Sequence, residues 1–160
     1  MRAFSALTFL LCACGADTTT EPLVPADYET SWTEIQGCTE ASVHSGDTIR
    51  IFLNDTAKTT WDDWAQRVAD GNPPDGESVS FAPGSVLLKA QYSDASCNDF
   101  KFWTVMTKLD AGEAAAVGDW RWEMIAANEN GDPGTPSAGG DGCFGCHQGY
   151  AGQDYVGTSP

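Results

Sequence analysis

The segment Cys143-Phe144-Gly145-Cys146-His147 constrains this chain more than any other. Two thiols three positions apart lie on one side of a helical turn, spaced to add to the two vinyl groups of a porphyrin. The adjacent imidazole then projects beneath the iron as an axial ligand. Two other uses of the pattern compete. A thioredoxin-type redox pair needs a strand before it and a helix after it, whereas 129–142 is rich in Gly, Pro and Ser. A zinc site needs a second ligand pair, and His44 is the only other His. The motif therefore calls for one covalent haem c, attached through Cys143 and Cys146 and ligated by His147.

The position of the motif narrows the fold. Only 13 residues, 148–160, follow it, and none is Met. Small electron-transfer cytochromes with an early motif and a later Met ligand are thereby excluded. Four-helix cytochromes c′ also carry a late motif, but one helix is all the periodicity supports. Thr60 caps it, Asp63 lies in its first turn, Trp61, Trp64 and Val68 recur at helical spacing, and Gly71 ends it. The other periodic runs alternate. Ile49, Ile51 and Leu53 share one face. Val86, Leu88, Ala90 and Tyr92 oppose Leu87, Lys89 and Gln91. Phe100, Phe102 and Met106 oppose Trp103, Val105 and Leu109, while Trp120, Trp122 and Met124 fall together. These runs, divided by turn residues, predict a mainly β (α+β) domain: an antiparallel meander with one or two short helices and a C-terminal haem-binding helix.

The charge balance excludes whole classes of partner. Eight basic residues against 23 acidic ones give a net charge of −15, so neither nucleic acid nor an anionic membrane surface finds a basic footprint. No apolar run reaches the ~18 residues of a spanning helix. Arg2 followed by the short apolar stretch 3–13 reads instead as an export signal. Leu11-Cys12-Ala13-Cys14 is similar to the lipobox of bacterial lipoproteins, with Cys14 as the lipidated residue; the alternative is an ordinary signal peptide with two incidental cysteines. Residues 1–13 are then the signal, 14–27 the lipidated Cys and a flexible tether, and 28–160 the haem domain. Gly15 after the lipidated Cys favours the outer membrane over the inner, on the periplasmic side, with the lipid as the only membrane contact. Loss of Arg2 takes the mature charge from −15 to −16. In an oxidising compartment Cys38 and Cys97 are candidates for a disulfide, worth about 4 kcal/mol on the chain-entropy model.

From Ile49 onward the chain resembles the cytochrome P-460 family, including cytochrome c′-β. The resemblance rests on Thr48-Ile49-Arg50-Ile51, Gly84-Ser85-Val86-Leu87-Leu88-Lys89, Lys108, Gly118-Asp119-Trp120, the haem motif and Asp154-Tyr155-Val156. It implies a mostly antiparallel β domain, commonly a homodimer, with His147 as sole protein ligand and an open iron face for hydroxylamine, nitric oxide or carbon monoxide. Lys89 matches a strand Lys bonded covalently to the porphyrin. Arg50 matches a basic residue of the distal pocket, and Thr104 stands where a hydroxylamine-oxidising member has an acid.

Read from the residues alone, Lys89 is a strand lysine that snorkels to solvent, and Arg50 an outward residue paired with an acid. Three functions follow: oxidation of hydroxylamine or a related nitrogen species, with electrons passing to a partner protein; a nitric oxide or carbon monoxide binder; or an electron-transfer subunit whose acidic surface steers a basic partner.

Overall fold

The computed structural model describes residues 22–41, 47–73, 79–139 and 141–160. The expected signal segment 1–13, Cys14 and His44 lie outside the described residues. The elements run α1 (Tyr28–Ser31), β1 (Thr33–Glu40), β2 (Thr48–Leu53), α2 (Asp55–Ala69), β3 (Val86–Tyr92), β4 (Phe100–Lys108), β5 (Trp120–Ile125), β6 (Ser137–Ala138) and α3 (Asp141–His147). The strands form one antiparallel sheet in sequence order. It is the meander that the alternating runs predict, and the C-terminal helix carries the Cys-x-x-Cys-His motif.

Each sheet face is covered by different chain. On the first, Val86, Leu88, Ala90 and Tyr92 of β3 pack with Phe52, Trp103, Val105 and Ile125, under Val24 and Tyr28. On the second, Leu53, Leu87, Met106 and Trp120 lie with Trp61 and Trp64 of α2, Phe81 and Val156. Burying a large apolar side chain is worth about 1.5–3 kcal/mol. Two tryptophans therefore hold α2 to the sheet more firmly than helix propensity does. β3 is buried on both sides, and Lys89 is its one residue that is not.

Four expectations need correction. The helix begins at Asp55, five residues before Thr60. Asn54 caps it, its Oδ1 accepting from Ala57 N at 3.0 Å. The first turn buries only Ala57, so apolar spacing gives no sign of it. Gly71, at φ +71°, does follow the helix end. The tether does not extend to residue 27, because Val24 is 1% exposed in the core. Phe100 lies with Trp103, their ring centroids 4.1 Å apart, because a register shift after Gln91 places an extra β4 residue opposite β3. Finally, β1 and β6 go unforeseen: β1 is a largely exposed edge strand with two register shifts, so it carries no alternation. Cys38 and Cys97 form a disulfide with a Cα–Cα separation of 5.9 Å, tying that edge to the β3–β4 turn.

Candidate functional site

Cross-strand partners point to the same side of a sheet, so the strand register assembles the site. Ile51, Lys89, Thr104 and Met124 form one row across β2 to β5. Beside it run Ile49, Gln91 and Phe102 on one flank and Leu53, Leu87, Met106 and Trp122 on the other. All of these but Leu53 line a cleft of about 700 Å³, and Cys143, Cys146 and His147 of α3 line its wall. The two cysteines are free thiols.

α3 is held against the sheet by aromatic contacts. The Trp122 ring lies 5.8 Å from Phe144, 6.0 Å from His147 and 6.4 Å from Tyr155. Close approach at Gly139 brings the strap before the helix onto the same tryptophan, since a Cβ there would meet Trp122 O at 3.0 Å. The Gly139 carbonyl accepts from Cys143 Sγ at 3.1 Å.

His147 is oriented through Nδ1. Nδ1 lies 2.7 Å from the Tyr155 carbonyl oxygen. A carbonyl only accepts, so Nδ1 carries the proton and Nε2 keeps a lone pair for a metal. Burial holds the imidazole below its ordinary pKa, the nearby Lys89 charge adds to that, and the Tyr155 bond opposes it. The neutral ring is the ligating form.

Lys89 is half-buried. Desolvation lowers its pKa from 10.5 to about 8, opposed by the charges of Cys143 and Cys146. Thr104 Oγ1 accepts from Gln91 Nε2 at 3.3 Å, bringing both onto the cleft floor with Lys89.

Arg50 does not join them. It pairs in register with Ala90, on the opposite sheet face, and does not line the cleft. Its guanidinium is held by Glu34 at 2.8 Å and Glu29 at 3.1 Å. Those carboxylates, Glu34 above all, raise its pKa further. The pairing with acids, not the distal pocket, describes Arg50.

The residues present fit a c-type porphyrin. The cleft lies within the ~300–1,000 Å³ range of small-molecule sites, is floored by apolar side chains, and presents two thiols and a lone pair on one short helix. Trp122 Nε1 is buried in the wall with no partner among the described residues, and a bound group with an acceptor would satisfy it. A protein-only metal site does not arise, because among the described residues no three His, Cys, Asp or Glu side chains converge on a point. The haem motif was legible in the sequence, and Lys89 only through the family resemblance. Gln91 and Trp122 were visible only as members of alternating runs, and the Tyr155 carbonyl had no side-chain signal.

No curated protein matches the chain. Residues 25–158 match the family described as Cytochrome P460, and the chain belongs to that family of c-type haem cytochromes.

Proposed function

We propose that the protein is an exported cytochrome carrying one haem c on Cys143 and Cys146. In this reading His147 is the sole protein ligand, and the open iron face oxidises hydroxylamine or a related small nitrogen species. The observation that carries the reading is the placement of Lys89, an amine desolvated in the middle of an otherwise buried strand and facing the cleft of the haem motif. When bound, the haem supplies the redox centre that accepts electrons from such a substrate and releases them to a partner protein.

The side chains divide the remaining work. At pH 7 a pKa of about 8 leaves roughly a tenth of the Lys89 amine neutral, against roughly 3 in 10,000 at 10.5. Once Cys143 and Cys146 are thioethers, the charges that oppose this shift are gone and the nucleophilic form gains further. A bond from Lys89 Nζ to a porphyrin carbon would replace a C–H there, and the two electrons and two protons released would need an oxidant of the peroxide class. Thr104, accepting from Gln91, keeps its own O–H to donate to a small ligand. Ile49, Ile51 and Phe102 limit water around it. Export, the Cys14 anchor, homodimerisation and a basic electron acceptor drawn by the mature charge of −16 complete the proposal.

One observation favours a second reading, a nitric oxide or carbon monoxide binder. Thr104 stands beside Lys89 in the sheet, and a hydroxyl is not a general base for removing protons from hydroxylamine. Tryptic mass mapping of the holoprotein and hydroxylamine turnover with an artificial acceptor decide between them. A haem-bearing peptide joining Lys89 to 143–147, with turnover lost in Lys89→Met, supports oxidation. Free cleavage after Lys89, an unchanged spectrum in that variant and no turnover would leave the gas binder.

A further inference from the structure

The His147 hydrogen bond depends on a backbone conformation that needs to be held. The Tyr155 carbonyl reaches back to Nδ1 because Asp154 and Tyr155 are both left-handed, at φ +50° and +64°. Neither is Gly, and such residues persist only where their surroundings enforce them.

The enforcement converges on the Asp154 carboxylate. Lys108 Nζ donates to Oδ1 at 2.6 Å and to Oδ2 at 2.8 Å, Phe81 N to Oδ2 at 2.7 Å, and Trp120 Nε1 to Oδ1 at 3.2 Å. Lys108 Nζ also donates to Gly118 O at 2.9 Å. The side chains of Lys108 and Asp154 are only 11% and 10% exposed. From the other side, the Tyr155 ring packs against Gly118, where a Cβ would lie 2.2 Å from its Cε2. A buried ion pair is weak evidence for stability in itself, because apolar residues of similar volume often serve as well. Apolar residues would not fix the two left-handed peptides.

We infer that Asp154 and Lys108 are positioning residues for the axial imidazole: they set the Tyr155–His147 hydrogen bond and, through it, the electron donation of His147 to the iron. A hydrogen bond from Nδ1–H raises the basicity of the ligating nitrogen. That favours ferric over ferrous iron, so weakening the bond raises the reduction potential. The inference rests on His147 being the axial ligand; a wild-type protein that takes up no haem would defeat that reading, whereas variants that keep their haem with an unchanged Fe–His bond would defeat this one alone.

The test compares resonance Raman Fe–His frequencies and reduction midpoints in wild-type holoprotein, Asp154→Asn, Lys108→Met and Gly118→Ala. Gly118→Ala displaces Tyr155 while keeping both charged side chains, although Gly118 O is itself an acceptor of Lys108 Nζ. The expected result is retained covalent haem, a lower Fe–His frequency and a midpoint raised by the equivalent of a tenfold change in the ferric-to-ferrous ratio, about 59 mV. Ile125→Val, in the core of the opposite sheet face, should lower stability while leaving both readouts in place. Unchanged frequency and midpoint in the variants that fold would overturn the inference. If none folds, a wild-type Fe–His frequency typical of an imidazole without an Nδ1 hydrogen bond overturns it, and one typical of a hydrogen-bonded imidazole supports it.

Discussion

Lys89→Met should stabilise the haem-free protein at neutral pH, which is the reverse of what most core-strand substitutions do. The depressed pKa means that the folded state disfavours the ammonium that the unfolded chain keeps. From 10.5 to about 8, at about 1.4 kcal/mol per pH unit, the burden is about 3 kcal/mol. Its sign follows from proton uptake. Between those pH values the unfolded state binds the proton and the folded state does not, so wild-type stability rises with pH. The contribution of the neutral amine is fully present above 10.5 and is lost as pH falls through 8. Met fills the site without a charge, so the variant's advantage should be largest at pH 7 and should shrink toward zero near pH 10.5. Urea unfolding of both proteins at several pH values, with the Cys38–Cys97 bridge intact, measures it. Carbamidomethylation of Cys143 and Cys146 removes the charges that raise the Lys89 pKa and should widen the gap. Coincident stabilities at pH 7, or a difference that stays flat to pH 10.5, would show a solvated amine and refute the reasoning.

Two further outcomes follow from the structure and a third from the sequence. Replacing Cys38 and Cys97 by Ser should cost about 4 kcal/mol, from the chain entropy of a loop with sequence separation 59; a midpoint of denaturation unchanged by reductant would contradict it. The reduced holoprotein should be high-spin and five-coordinate, and Cys146→Ala should release haem into acid acetone. Met124 is the exposed thioether on the cleft face, so a low-spin spectrum abolished by Met124→Leu would identify a sixth ligand and close the open site. Cys14→Ser should abolish lipid labelling in a bacterial host and release soluble holoprotein; persistent labelling would place the modified cysteine elsewhere.

The legible parts of this chain are those whose signal is local. A period of two is legible in β2 to β5 because successive side chains face opposite sides of the sheet and every second residue must suit the same layer. The haem motif is legible because its chemistry fits within five residues. Arg50 shows how a resemblance can mislead where alternation does not. It interleaves with Ile49 and Ile51, so the period alone puts it on the face away from them. Only the register, which pairs Ile51 with Lys89, shows that this is also the face away from the cleft. Register is a long-range property, and nothing in either strand states it.

The same limit explains why Lys108 and Asp154, although both carry the family resemblance, give no sign in the sequence that they pair. They are 46 positions apart, each reads as an ordinary surface charge, and the group they control is a backbone carbonyl with no residue type of its own. Yet their pairing accounts for a local oddity that propensity cannot, two successive left-handed residues with side chains just beyond the haem motif. A local rule is broken there, and the compensation comes from four hydrogen bonds that three donors make to one carboxylate. The turn's consequence is that His147 presents Nε2, not Nδ1, to the cleft. On the proposed reading the chemistry of the proximal side is written in the fold rather than in the motif: Cys143, Cys146 and His147 would hold the haem, and residues 108, 118 and 154 would set how strongly its iron is fed.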